Sequence, residues 1–152
     1  MIQRIQSLFL LAAATLVSVL SFMPWWQGKN GDMALVFMRG TFNQEVFNTD
    51  VLFILFCLSL FSALLILGSI FLYRNRKLQM KITQLSGLVV SIVLGGSYWF
   101  VSKSISGVDG QEISGAFTFY FWLFVIAILL NAAARIFIKK DEDLVRSVDR
   151  FR

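Results

Sequence analysis

From Val51 to Tyr73 the chain reads VLFILFCLSLFSALLILGSIFLY, 23 residues without Asp, Glu, Lys, Arg or Pro. A helix needs about 20 apolar residues to cross a hydrocarbon core about 30 Å thick. Only a helix or a closed barrel can satisfy its backbone there. A barrel would show segments of about ten residues alternating between apolar and polar side chains, and this run does not alternate. It therefore predicts a transmembrane helix.

Three more runs share that character, at about residues 5–23, 82–101 and 116–138. Their interiors carry no ionisable acid or base until Arg135, in keeping with the cost of a charge at mid-bilayer. The whole 152-residue chain is 57% hydrophobic and 15% charged, against about 45–50% and about 25% in soluble domains. The first run also follows a basic residue, as a signal peptide does. It is longer than a signal core, and Ser21-Phe22-Met23-Pro24 makes a poor cleavage site, so retention as a helix is expected. The expected architecture is an all-α membrane protein, one domain over residues 1–152 with four transmembrane helices.

Charge orients the helices. Arg4, Arg74, Arg76, Lys77, Lys81, Arg135, Lys139, Lys140, Arg146, Arg150 and Arg152 fall on one side, and Lys29, Arg39 and Lys103 on the other. Positive-inside bias places both termini in the cytoplasm and the loops at 24–50 and 102–115 outside. Trp25, Trp26, Trp99 and Trp122 then lie near the outer interface, where indole rings are favoured. Asn30-Gly31 and Asp109-Gly110 are hairpin signals, because both central turn residues must accept positive φ. They predict two short hairpins as an extracytoplasmic β-hairpin cap, with joining of the two in one small outer sheet as one arrangement and irregular loops with local turns as the alternative. Its second hairpin would use Ser104-Ile105-Ser106 and Gln111-Glu112-Ile113 as arms.

Small residues mark helix contacts. Gly87, Ser91 and Gly95 recur every fourth residue in the third run, and Ala14 and Ser18 in the first. Such spacing lets a second helix approach closely. Contact within the bundle is the first expectation and a dimer face the second. Asn131 and Arg135 share one face of the fourth helix. The pair is expected to be structural, with Asn131 bonding a neighbouring Ser or carbonyl and Arg135 reaching the cytoplasmic surface. The functional alternative is that the pair binds a lipid headgroup or lines a polar cavity. Residues 139–152 form the tail. Leu144, Val148 and Phe151 on one face and Arg146 and Arg150 on another predict a separate amphipathic cytoplasmic helix. It would rest on anionic headgroups or dock on a partner protein. Four acids among the six bases counted from Arg135 onward make nucleic acid an unlikely partner.

Chemistry is sparse. There is no histidine, and Cys57 is the one cysteine, expected to be a small buried apolar residue. The sequence offers no catalytic, cofactor or metal site, and no enzyme activity is expected. The opening Met1-Ile2-Gln3-Arg4-Ile5-Gln6-Ser7-Leu8-Phe9-Leu10-Leu11-Ala12-Ala13 and the ending Lys140-Asp141-Glu142-Asp143-Leu144-Val145-Arg146-Ser147-Val148-Asp149-Arg150-Phe151-Arg152 resemble a family of small four-span proteins of Bacteroidota. That family is designated domain of unknown function 4293. The resemblance implies a Gram-negative inner membrane and periplasmic loops, and it brings no activity. The expected role is a non-catalytic accessory subunit or assembly factor of a larger membrane complex, contacting membrane lipids and a membrane protein partner. The alternative is a binder or carrier of a lipid or other apolar ligand in a cavity between helices.

Overall fold

Apolar side chains at alternating three- and four-residue steps give each run one inward seam, the pattern of helices packed nearly side by side. The computed structural model describes the backbone of residues 2–28, 34–35, 49–73, 75–106 and 115–149, with side chains at 5–28, 50–73, 75–104 and 115–145. Its elements in order are helix α1 (Ile2–Leu20), strands β1 (Trp26–Gly28) and β2 (Ala34–Leu35), helices α2 (Thr49–Phe71) and α3 (Arg76–Ser106), strand β3 (Gly115–Phe117) and helix α4 (Phe119–Asp149). Helices α2, α3 and α4 are long and apolar enough to cross a membrane, while the apolar part of α1, Ile5–Leu20, is shorter.

Helix α1 packs against α2 and α4, and α3 packs against the same two. The Gln6 side chain near the start of α1 donates to the Phe137 carbonyl, far along α4, so these two helices run antiparallel. The seam of α4 is Phe121, Phe124, Ala127, Asn131, Ala134 and Ile138, all buried. The outer surface is more apolar than a soluble bundle allows, with Leu8, Phe53, Leu64, Ile92, Leu129 and Ile136 exposed. Ser59, Ser62, Ser86, Ser97 and Asn131 are inside. Lipid removes the hydrophobic drive for association, so such a bundle is held by close packing and by hydrogen bonds.

Several boundaries differ from the sequence expectation. Helix α3 begins at Arg76, not Ile82, because Asn75 caps it, its Oδ1 accepting from the Leu78 amide at 3.3 Å. The segment Ser104-Ile105-Ser106 is the end of α3 and not a strand arm. Helix α4 does not stop near Ile138. It continues to Asp149, so the tail is an extension of the fourth helix and not a separate one. No Gly or Pro interrupts residues 131–149, and a helix leaving the bilayer has no reason to end at the lipid boundary without a breaker.

The two loops meet in one antiparallel sheet of order β2-β1-β3. Trp26 pairs with Leu35 on one side and Phe117 on the other. The Asn30-Gly31 and Asp109-Gly110 turns lie outside the described residues. Trp25 and Trp26 are buried, contrary to their expected place at the lipid interface, while Trp99 and Trp122 are exposed. Trp25 stacks near Phe117 at 6.5 Å, Phe117 lies 4.3 Å from Phe121, and Tyr98 stacks on Phe117 at 5.7 Å. The sheet thus sits on an aromatic cluster at one end of the helices. Cys57 is also exposed, on the outward face of α2 and not in the core.

Candidate functional site

Polar groups concentrate toward the end of the bundle opposite the sheet. Arg76, in the first turn of α3, reaches α4 and grips Asp141 twice. Its Nη1 donates to the Asp141 carbonyl at 3.0 Å and its Nη2 lies 3.2 Å from the carboxylate. This clamp fixes the extended part of α4 to the bundle. Gln6, Ile70, Tyr73, Arg76, Gln79 and Asp141 line a cavity of about 490 Å³ beside it. Gln6 and Gln79 are buried. The sequence does not mark this group, because Arg76 precedes the third apolar run and Asp141 follows the fourth. The signal available was two amide side chains, Gln6 and Gln79, at inward positions close to the ends of their helices.

A second concavity, of about 560 Å³, runs between α3 and α4. Asn131 lies in its wall, 3% exposed. Its Nδ2 donates to the Thr83 carbonyl at 3.0 Å and to the Ser86 hydroxyl at 3.2 Å. Ser86 in turn donates to Thr83, so its oxygen is free to accept from Asn131. The approach depends on Gly87, since a Cβ there would stand 3.0 Å from the Asn131 nitrogen. Asn131 Oδ1 is buried and has no hydrogen-bond partner among the described residues. Arg135 and Lys139, one and two turns further along α4, are exposed on the same groove.

The proposed small-residue stripe divides. Gly87 meets Asn131, but Ser91 and Gly95 are exposed, and a Cβ on Gly95 would have nothing within 4 Å. A four-residue step turns a helix through about 400°, so such a row drifts away from a straight contact line. The buried α3 positions Ser86, Val90, Val93 and Ser97 follow the seam instead. On α1, Ala14 is buried and Ser18 half-buried. Leu144 is exposed on the continuation of α4, while the side chains of Arg146 and Val148, and Arg150 and Phe151 altogether, lie outside the described residues.

The family described as a domain of unknown function, DUF4293, matches residues 2–151. The chain belongs to the DUF4293 family. No curated protein and no solved structure matches it. In this DUF4293 protein the buried hydroxyls are taken up by helix carbonyls: Ser59 donates to Phe56, Ser62 to Ser59, Ser69 to Ile66 and Ser97 to Val93. Back-bonding of this kind satisfies a hydroxyl within its own helix and leaves no base to activate it. Ser21 and Ser59 also join α1 to α2 at 2.8 Å. Among the described residues no three His, Cys, Asp or Glu side chains gather where a metal ion could bind.

Proposed function

We propose that this DUF4293 protein is a non-catalytic accessory subunit or assembly factor of a larger complex in the bacterial inner membrane. In this reading α1 is the fourth crossing, both termini are cytoplasmic and the sheet is periplasmic. The excess of basic residues at the termini and the α2–α3 connection supports the orientation. The single observation that carries the role is the length of α4. Its 31 residues span about 46 Å at about 1.5 Å each, well beyond a hydrocarbon core of about 30 Å. The Arg76–Asp141 clamp anchors the projecting part, and Leu144 and Val145 are exposed on it at 49% and 43%. Apolar side chains on an anchored helix outside the lipid offer anchors for a partner's groove. A photo-crosslinker placed at Val145 in native membranes should yield one discrete adduct with another membrane protein, lost when Leu144→Glu is added to the same chain. Crosslinks to lipid alone, and gentle-detergent purification at native expression returning the protein alone, would refute the role.

A second reading is supported by a different observation, the unpartnered Oδ1 of Asn131 in the α3–α4 groove. A buried acceptor without a donor costs about 1–3 kcal/mol, which a bound lipid could relieve. On this reading the protein binds or carries a lipid between its helices. Lipid co-purifying at a fixed ratio would favour it, and a groove that takes up none would dismiss it.

A further inference from the structure

The α3–α4 groove changes character along its length. Leu88 and Ile128 give it apolar walls, Asn131 holds a buried, unmet acceptor in that wall, and Arg135 and Lys139 supply positive charge. By helix rise the two cations lie about 6 Å and about 12 Å beyond Asn131 along α4. No ion pair joins either of them to an acid among the described residues. This is the order of chemical groups along an anionic lipid: chain, backbone, phosphate.

The hydrogen bonds around Asn131 say more about the middle of that lipid. Turning the side-chain amide over would set Oδ1 against the Thr83 carbonyl, acceptor facing acceptor, so the network fixes which atom faces Thr83. The unmet group is therefore an oxygen, and it requires a donor. At the backbone level a diacyl glycerolipid offers only ester oxygens, which accept. A single-chain or amide-linked lipid offers a hydroxyl or an N–H there.

We propose that this groove binds a phosphate-bearing lipid with a free hydroxyl or amide N–H between acyl chain and phosphate. Arg135 and Lys139 hold the phosphate, and Asn131 Oδ1 accepts from the donor. The proposal rests on the lipid-binding reading above and narrows it to one chemistry.

The test uses the full-length protein in detergent and native mass spectrometry. The probes are 1-oleoyl lysophosphatidic acid and the same molecule with its hydroxyl methylated. The wild type should retain the free-hydroxyl lipid about fivefold better, the worth of one net hydrogen bond. Arg135→Gln with Lys139→Gln, both exposed positions, should weaken both lipids by about tenfold, as expected for lost charge-assisted contacts. Asn131→Leu should abolish the preference for the hydroxyl while leaving the phosphate attraction, and the methylated probe reads the same contact in the unaltered protein should that variant fail to fold. Equal retention of the two lipids by the wild type, or no loss in the Arg135/Lys139 variant, would overturn the proposed chemistry and leave general lipid binding standing. Retention of neither lipid, nor of dioleoyl phosphatidic acid or 1-oleoyl lysophosphatidylcholine, would overturn both.

Discussion

The two ends of the bundle are built on different principles. At the sheet end Trp25, Trp26 and Phe121 are buried and Phe117 is enclosed by rings, so position is fixed by shape. At the other end Gln6, Arg76 and Asp141 are held by directional bonds between helices. Asn131, further along α4 toward that end, still has an acceptor to spare. Shape-fixed packing tolerates no added volume and offers no chemistry to a partner. Hydrogen-bonded packing costs more to complete, and what it leaves incomplete is available for recognition. On the readings proposed above, the contrast separates where this protein gains its rigidity from where it would meet other molecules.

The sharpest way to break that comparison is Gly115→Ala. A Cβ at Gly115 would lie 2.1 Å from Cζ2 of Trp26 and 2.7 Å from the Gln27 carbonyl oxygen. Neither neighbour yields readily, because one is a buried indole and the other is backbone in the paired strand β1. Overpacking of this kind costs about 1–3 kcal/mol and sometimes more. The variant should show the largest loss of stability of the three considered, measured by unfolding in detergent, together with a changed tryptophan emission. Wild-type stability would mean that the sheet end is loosely assembled.

A second substitution sharpens the contrast from the polar end. Asn131→Ala removes two hydrogen bonds to α3 and leaves a gap, and interhelical bonds in membranes are worth about 0.6–1.7 kcal/mol. Both variants lose the bonds and the unmet Oδ1, but Asn131→Leu also fills much of the volume. It should therefore unfold at a higher denaturant concentration than Asn131→Ala, with both measured in the same detergent. The reverse order would show that the space between α3 and α4 cannot take an apolar side chain of that size.

These same residues show how far the sequence could be read. The helices were legible because apolar length is a direct consequence of bilayer thickness, as in Val51–Tyr73. The expectation that Asn131 would bond a neighbouring Ser or carbonyl is matched in the contacts to Thr83 and Ser86, since an amide amid apolar neighbours has few alternatives. A joined outer sheet was open to a reading of the sequence because both loops leave the same face, but its strands were not, because the pairing of Gln27 with Ala34 and Ala116 is non-local and leaves no local pattern. Helix ends were misplaced where the reading equated the end of the apolar run with the end of the helix. Arg76–Lys81 and Lys139–Asp143 are polar but good helix formers, so hydropathy changes there while the backbone does not. Gly87, Ser91 and Gly95 share a spacing, yet spacing alone could not say that only the first faces a neighbour.

The Arg76–Asp141 clamp supplies the smallest expected effect. Arg76→Gln removes the charge from α3, Asp141→Asn removes it from α4, and the double variant closes a thermodynamic cycle that isolates their coupling. The side chains are 22% and 16% exposed, so the pair is partly wetted and screened. Exposed pairs yield about 0.2–1 kcal/mol, and the coupling should fall near the upper part of that range because the contact is partly buried. It should also shrink as salt is raised, since screening acts on the Coulomb part of the interaction. The bond from Nη1 to the Asp141 carbonyl does not depend on the carboxylate, so Asp141→Asn should retain part of the clamp while Arg76→Gln should lose all of it. Equal losses from the two single variants would mean that the carboxylate alone does the holding. The extended part of α4 would then be tethered at one point and free to swing away from α3, and the contrast between the two ends of the bundle would become one of mobility as well as chemistry.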